Sequence, residues 1–279
     1  MTLLARLVAR YWPGVDVPWV GRLAPWMPFA IRLHLTISLV GLLSLGYYLS
    51  PAMDLQADLA GILLGAVMAV VAISMATGWN ARRGALLLIA AGPIGMLEFG
   101  VWPVLSRIDL LGLALYILLT GPGRWSADVE GGVAEPAWVD HARAVWALKV
   151  CAGVALVIVA FDEKLAMPDL ALSFLAGHPE LNVAREIGLG WTDLEFVRVA
   201  AAIEVLFGLL LISGALPQLV VLAAGIPFNA TLWFFGANEL MGHLPIYGTM
   251  LVLLVYGCDP SLRPAVSALR IASARPARS

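Results

Sequence analysis

Apolar residues fall in eight blocks along this chain, at about 29–49, 59–77, 84–104, 107–120, 144–161, 196–214, 216–235 and 244–257. Each block predicts a helix that can cross a bilayer, which takes about 20 residues, or fewer where the ends snorkel or the bilayer thins. The fourth and eighth blocks are the shortest. Before the first, Leu3, Leu4, Leu7, Val8 and Tyr11 fall on one helical face with Arg6 and Arg10 off it. That pattern predicts a short helix lying on the membrane surface, ended by Pro13-Gly14. It does not fit a cleaved signal peptide, because the arginines interrupt any apolar core.

The blocks divide into two similar sets of four. "GLALYILLTGPG" (112–123) matches "GTMLVLLVYGCD" (248–259) in length and apolar pattern, "AAGP" (90–93) recurs as "AAGIP" (223–227), and "GILLG" (61–65) lines up with "EVLFG" (204–208). We therefore expect an all-α membrane protein of eight transmembrane helices, built as two parallel four-helix repeats. Segment 1–28 is interfacial, 29–120 the first repeat, 121–140 a polar linker, 141–258 the second repeat with a lid loop at 162–195, and 259–279 a basic tail. Four spans per repeat makes the repeats parallel, whereas inverted-repeat transporters need the opposite arrangement.

Composition agrees with the pattern. The chain is 61% hydrophobic and 13% charged, far from the roughly 25% charged of a soluble domain. The net charge of −2 gives no reason to expect nucleic-acid binding. Cys151 and Cys258 belong to no CxxC pair, so a zinc ribbon or thioredoxin-type chemistry is excluded. Arg6, Arg10, Arg22, Arg32, Arg82, Arg83, Arg124, Arg143, Arg263, Arg270, Arg275 and Arg278 fall on one side of the predicted spans, against Arg107, Lys164, Arg185 and Arg198 on the other. The positive-inside rule then puts both termini in the cytoplasm of a multi-pass plasma (bacterial inner) membrane protein. Tryptophans near span ends, among them Trp26, Trp79, Trp102, Trp125, Trp138 and Trp191, fit an interfacial belt.

Ionisable groups at membrane depth are costly and mark function by default. The second half has Asp162, Glu163 and Lys164 where the first has Gly46, Tyr47 and Tyr48, and Glu204 where the first has Gly61. The first half therefore reads as scaffold. Glu204 sits about eight residues into the sixth block, roughly 12 Å deep, and needs a proton or a cation. Lys164 is its natural partner, with Asp162 or Glu163 facing water. The pair is either a clamp between helices or the lining of a polar pocket. In "GANELMGHLPIYG" (236–248), Glu239 and His243 are four apart and share a face if the segment is helical; Gly242 and Pro245 argue instead for a turn. A histidine beside a carboxylate suits proton transfer to a quinone; for a metal, no third ligand is evident. Trp233 completes the expected quinone-binding set with Lys164, Glu204 and His243.

The remaining polar groups carry less. His178 sits at a loop turn, and His34 and His141 lie near the cytoplasmic face. Glu98 pairs with Arg107 in this reading, and Lys149 snorkels to the surface. Within the lid loop, residues of about 168–176 and 179–189 read as two short Pro-initiated helices.

"FDEKLAMP" (161–168), "AAAIEVLFGLLLISG" (200–214) and "GHLPIYG" (242–248) together resemble the DoxX-like membrane family, which includes the membrane subunit of thiosulfate:quinone oxidoreductase and is related to MauE-type maturation proteins. The resemblance covers about 142–258; the first half shares only the span pattern. It implies a small four-helix membrane module beside the quinone pool, with Lys164 and Glu204 at the family's lysine and acid. The expectation is a quinone-linked subunit of a redox complex, docking an extracytoplasmic electron donor. No haem, flavin or metal motif is evident. A non-catalytic anchor or assembly factor, and a small-solute or metal transporter, stand as alternatives.

Overall fold

The computed structural model describes residues 2–133, 139–235 and 237–267, with side chains for all of these except 231, 233–235 and 237–239. Its regular elements are helices; one isolated β-bridge joins Tyr47 and Asp54. The principal helices are α1 (Thr2–Tyr11), α2 (Met27–Ser44), α3 (Leu59–Thr77), α4 (Ala81–Phe99), α5 (Ile108–Thr120), α6 (His141–Ala160), α7 (Pro168–Gly177), α8 (Asp193–Ser213), α9 (Pro217–Phe235) and α10 (Ala237–Gly257). Among the described residues, five stretches are long and apolar enough to cross a membrane: Pro18–Ser44, Leu59–Thr77, His141–Ala166, Asp193–Ser213 and Leu240–Gly257. Ile108–Thr120 and Pro217–Ala230 are shorter apolar helices. The chain is an all-helical, multi-pass membrane protein.

Local chemistry sets the helix ends. Asp58 caps α3 by accepting from the Gly61 amide, and Asp140 caps α6 through the Arg143 amide. Thr192 and Glu195 form a reciprocal capping box at α8, satisfying amides that the helix itself leaves free. Between α3 and α4, Gly78 (φ 67°) and Asn80 (φ 49°) both take left-handed conformations; between α8 and α9, Gly214 (φ 66°) and Leu216 (φ 50°) do the same. A branched residue rarely adopts that region, so the α8–α9 turn holds Leu216 against its preference.

Four sequence expectations change here. The block at 84–104 is not one helix: it breaks at Gly100 (φ 83°), and a short helix, Val101–Leu105, follows. The block at 29–49 stops being helical at Ser44. Residues 237–257 form one continuous helix through Gly242 and Pro245, so no turn interrupts them; backbone groups freed by a proline are tolerated inside a packed membrane bundle. In the loop, Pro168–Gly177 is a helix, but the second segment is only a 3₁₀ turn (Pro179–Leu181) and one α-turn (Val183–Glu186).

α2 packs on α3, α3 on α4, α4 on α5, and α5 back on α2. α6, α8, α9 and α10 pack on one another in the same cyclic order. The two sets meet where α5 lies on α6, α10 on α2, and α5 on α10. Glycines allow the first two approaches. A Cβ on Gly112 would press into Cys151 and Leu148 of α6, and one on Gly248 into Ile31 and His34 of α2. Between α5 and α10 the buried Tyr116 and Tyr256 hydroxyls hydrogen-bond at 2.9 Å. Within the second set, α6 and α8 approach backbone to backbone: a Cβ on Gly153 would lie 2.5 Å from the Gly208 carbonyl oxygen, and one on Gly208 2.6 Å from that of Gly153.

Each set also buries one cation. Arg32 on α2 donates to the carbonyls of Met75, Arg124 and Trp125. Lys149 on α6 donates to the Val266 carbonyl at 2.8 Å and is fully buried. It does not snorkel to the surface; the segment after α10 folds back over it. Both cations sit at the C-terminus of a neighbouring helix, beside Gly78 and Gly214 respectively, where the helix dipole favours positive charge. α1 rests on the same end of α8, with Arg6 donating to the Ser213 and Ser267 carbonyls. Leu3, Leu4, Leu7, Val8 and Tyr11 are all exposed on its outer face.

Candidate functional site

α6 does not end as an ordinary helix. After Ala160 it widens into a π-helical turn, Phe161–Ala166, which carries the sequence FDEKLA. Met167, extended before Pro168, stops it; a residue preceding proline is driven out of the helical region. Single π-turns recur at functional sites. Here the turn presents the Lys164 ammonium to both carboxylate oxygens of Glu204, each at 2.8 Å. The side chains remain 23% and 30% exposed, so the pair is formed yet reachable. Glu163 is exposed. Glu204 is the twelfth residue of α8, because that helix begins at Asp193; it lies about 16 Å along the axis from the helix start.

The lid packs on α8 and on the π-turn, the two elements that hold the pair. Its anchor is Asn182, fully buried, whose amide donates to the Trp191 carbonyl and to Asp193 Oδ1. Arg185 closes on Asp193 at 3.5 Å. Leu175 and Ala184 form its small apolar core. Phe161, Met167, Leu170, Val183, Ile187 and Leu189 stay exposed.

A second polar cluster lies at the junction of the two sets, and sequence reasoning missed its centre. Asp109, in the first turn of α5, is 1% exposed, and neither carboxylate oxygen has a hydrogen-bond partner among the described residues. Arg107 Nη2 stands 3.5 Å from Asp109 Oδ2, while Arg107 Nη1 donates to the Gly242 carbonyl at 2.9 Å. Arg107 is therefore paired with Asp109 rather than Glu98, which is exposed. The next residue after Gly242 is His243. The His243 ring meets Phe228 edge to face at 5.2 Å. The signal was present in sequence as an acid inside the apolar run RIDLLG; the same demand made of Glu204, that a carboxyl at depth needs a reason, applies to it.

The structure thus joins Lys164 to Glu204 and Asp109 to Arg107, with His243 next in sequence to the Gly242 carbonyl that Arg107 holds. The side chains of Glu239 and Trp233 lie outside the described residues. His34 places Nδ1 on the Ala30 carbonyl, His141 is exposed at the first residue of α6, and His178 packs on Phe174. No family model matches the chain, and no curated protein or solved structure does either.

Proposed function

We propose that this chain is the quinone-linked membrane subunit of a redox complex in the bacterial inner membrane, with both termini cytoplasmic and the lid outside. The observation that carries the reading is the Lys164–Glu204 pair. Two opposite charges held by apolar helices, largely desolvated and still reachable, form a site that can take up and hand on a proton for quinone chemistry. Reducing a quinone to a quinol takes two electrons and two protons. The electrons come from a redox cofactor on an extracytoplasmic partner docked at the lid, whose exposed apolar residues offer a contact surface. Protons pass through Lys164–Glu204 and the His243–Asp109 cluster.

In this reading the chain is a doubled DoxX-like module with eight spans. Several observations support duplication. α4 and α9 are both 19 residues long and each follows a doubly left-handed turn. Gly112 and Gly248 serve the same interface from opposite sides, and Arg32 and Lys149 are buried at equivalent helix ends. The first set departs from pure scaffold by contributing Asp109.

Glu204→Gln keeps the shape and removes the charge. Because positioned acid–base groups contribute about 100-fold or more, quinone-dependent electron flux in membranes should fall by about that factor, with the protein inserted at wild-type level. Unchanged flux would refute a catalytic role for the pair.

A further inference from the structure

A groove of ≈ 510 Å³ runs between α9 and α10, away from the Lys164–Glu204 pair. Its walls are Val221, Leu222, Gly225 and Ile226 on one side and Met250, Leu251 and Leu254 on the other, and it ends at Asn229 and Tyr247. Its size falls in the range of small-molecule sites. From Val221 to Asn229 it follows α9 for about 12 Å. Tyr247 is the eleventh of the 21 residues of α10, so the polar end lies near mid-depth of the helix. There the Tyr247 hydroxyl is buried and has no hydrogen-bond partner among the described residues. An unmet buried donor is costly, and an acceptor brought by a ligand removes that cost. His243 lies one turn along the same face of α10; it and Tyr247 both pack on Phe228, at 5.2 and 6.3 Å between ring centroids.

We infer that this groove is the quinone seat: the isoprenoid tail lies along Val221–Leu254, and a ring carbonyl accepts the Tyr247 hydroxyl beside Asn229. The inference rests on the redox reading above and gives it a location. A phospholipid acyl chain would fill the walls equally well, but its ester oxygens belong at the bilayer surface. Only a ligand whose polar atoms travel into the membrane on a long apolar tail brings an acceptor to mid-depth. The seat also places the ring one helical turn from His243, which follows the Gly242 carbonyl that Arg107 holds, whereas the Lys164–Glu204 pair serves proton exchange rather than ring binding.

Gly225 provides the test. A Cβ there would stand 3.7 Å from Met250 and 3.8 Å from Asn229, which is ordinary contact, so Gly225→Leu extends into the groove without a backbone clash and improves helix propensity. Binding of a decyl-chain benzoquinone to the full chain in lipid nanodiscs is measured for wild type, Gly225→Leu and Tyr247→Phe. We expect Gly225→Leu to weaken binding more than about tenfold and Tyr247→Phe about three- to tenfold, the worth of one hydrogen bond. Wild-type binding with both groove variants unaffected overturns the seat and leaves the redox reading standing. No binding by wild type overturns both, and a phospholipid retained in the groove in place of quinone, seen by native mass spectrometry, assigns the groove to lipid. Tyr247→Phe alone decides the matter if Gly225→Leu does not insert.

Discussion

At the scale of single residues, the chain handles each ion at depth differently. Lys164 and Glu204 meet each other, Arg32 and Lys149 meet backbone carbonyls, and Asp109 meets Arg107 at a loose 3.5 Å. The first of these was legible in sequence, because a short carboxylate far from any helix end leaves few options and Lys164 was the one cation within reach. Asp109 was not, because it stands near a helix start, where an acid is usually a solvated dipole partner; the packing of the second set against α5 buries it. The two acids should differ in their structural cost. Breaking the partly exposed pair with Lys164→Met should cost about 1–2 kcal/mol, between the values for surface and buried pairs. Asp109→Leu leaves Arg107 buried without its counter-charge and should cost about 3 kcal/mol, most of it recovered in Arg107→Leu/Asp109→Leu. Thermal unfolding in detergent separates these; equal losses for Lys164→Met and Asp109→Leu, or no recovery in the double variant, would contradict the assignment.

At the scale of elements, apolar length located the helices and little else. The block at 59–77 coincides with α3 as drawn from sequence. The break at Gly100 and the π-turn at Phe161–Ala166 were hidden, since both depend on backbone geometry that hydropathy does not record. The same holds for the α6–α8 crossing. Gly153 and Gly208 look like ordinary membrane-helix glycines, yet each faces the carbonyl of the other, the close approach that small residues permit between membrane helices. Gly208→Val should force the helices apart and cost about 1–3 kcal/mol, as overpacking generally does. Because α8 carries Glu204, it should also weaken the contact with Lys164. A double-mutant cycle on Lys164 and Glu204 by thermal unfolding should give a smaller coupling energy in the Gly208→Val background than in wild type; an unchanged coupling would count against it.

At the scale of the whole molecule, two four-helix sets face each other through α5, α6, α10 and α2. The similarity of the two sets is faint in sequence, since lipid-facing positions accept any apolar residue, and a few glycines and turns carry most of it. The functional asymmetry was clearer: the second set holds the pair, the lid and the α9–α10 groove, while the first lends Asp109 and Arg107. If each set is a folding unit, residues 1–133 and 139–279 expressed as separate chains should assemble and co-purify, since each fragment keeps the four packed helices of its set; recovery of neither fragment without the other's covalent attachment would contradict this. The central claim is that the protein holds a quinone. Its most direct measurement is the quinone content of the full chain isolated in mild detergent, by solvent extraction and mass spectrometry. We expect close to one quinone per chain in wild type and strong depletion in Gly225→Leu; a wild-type protein that carries none, and takes up none when quinone is added, would contradict a bound quinone.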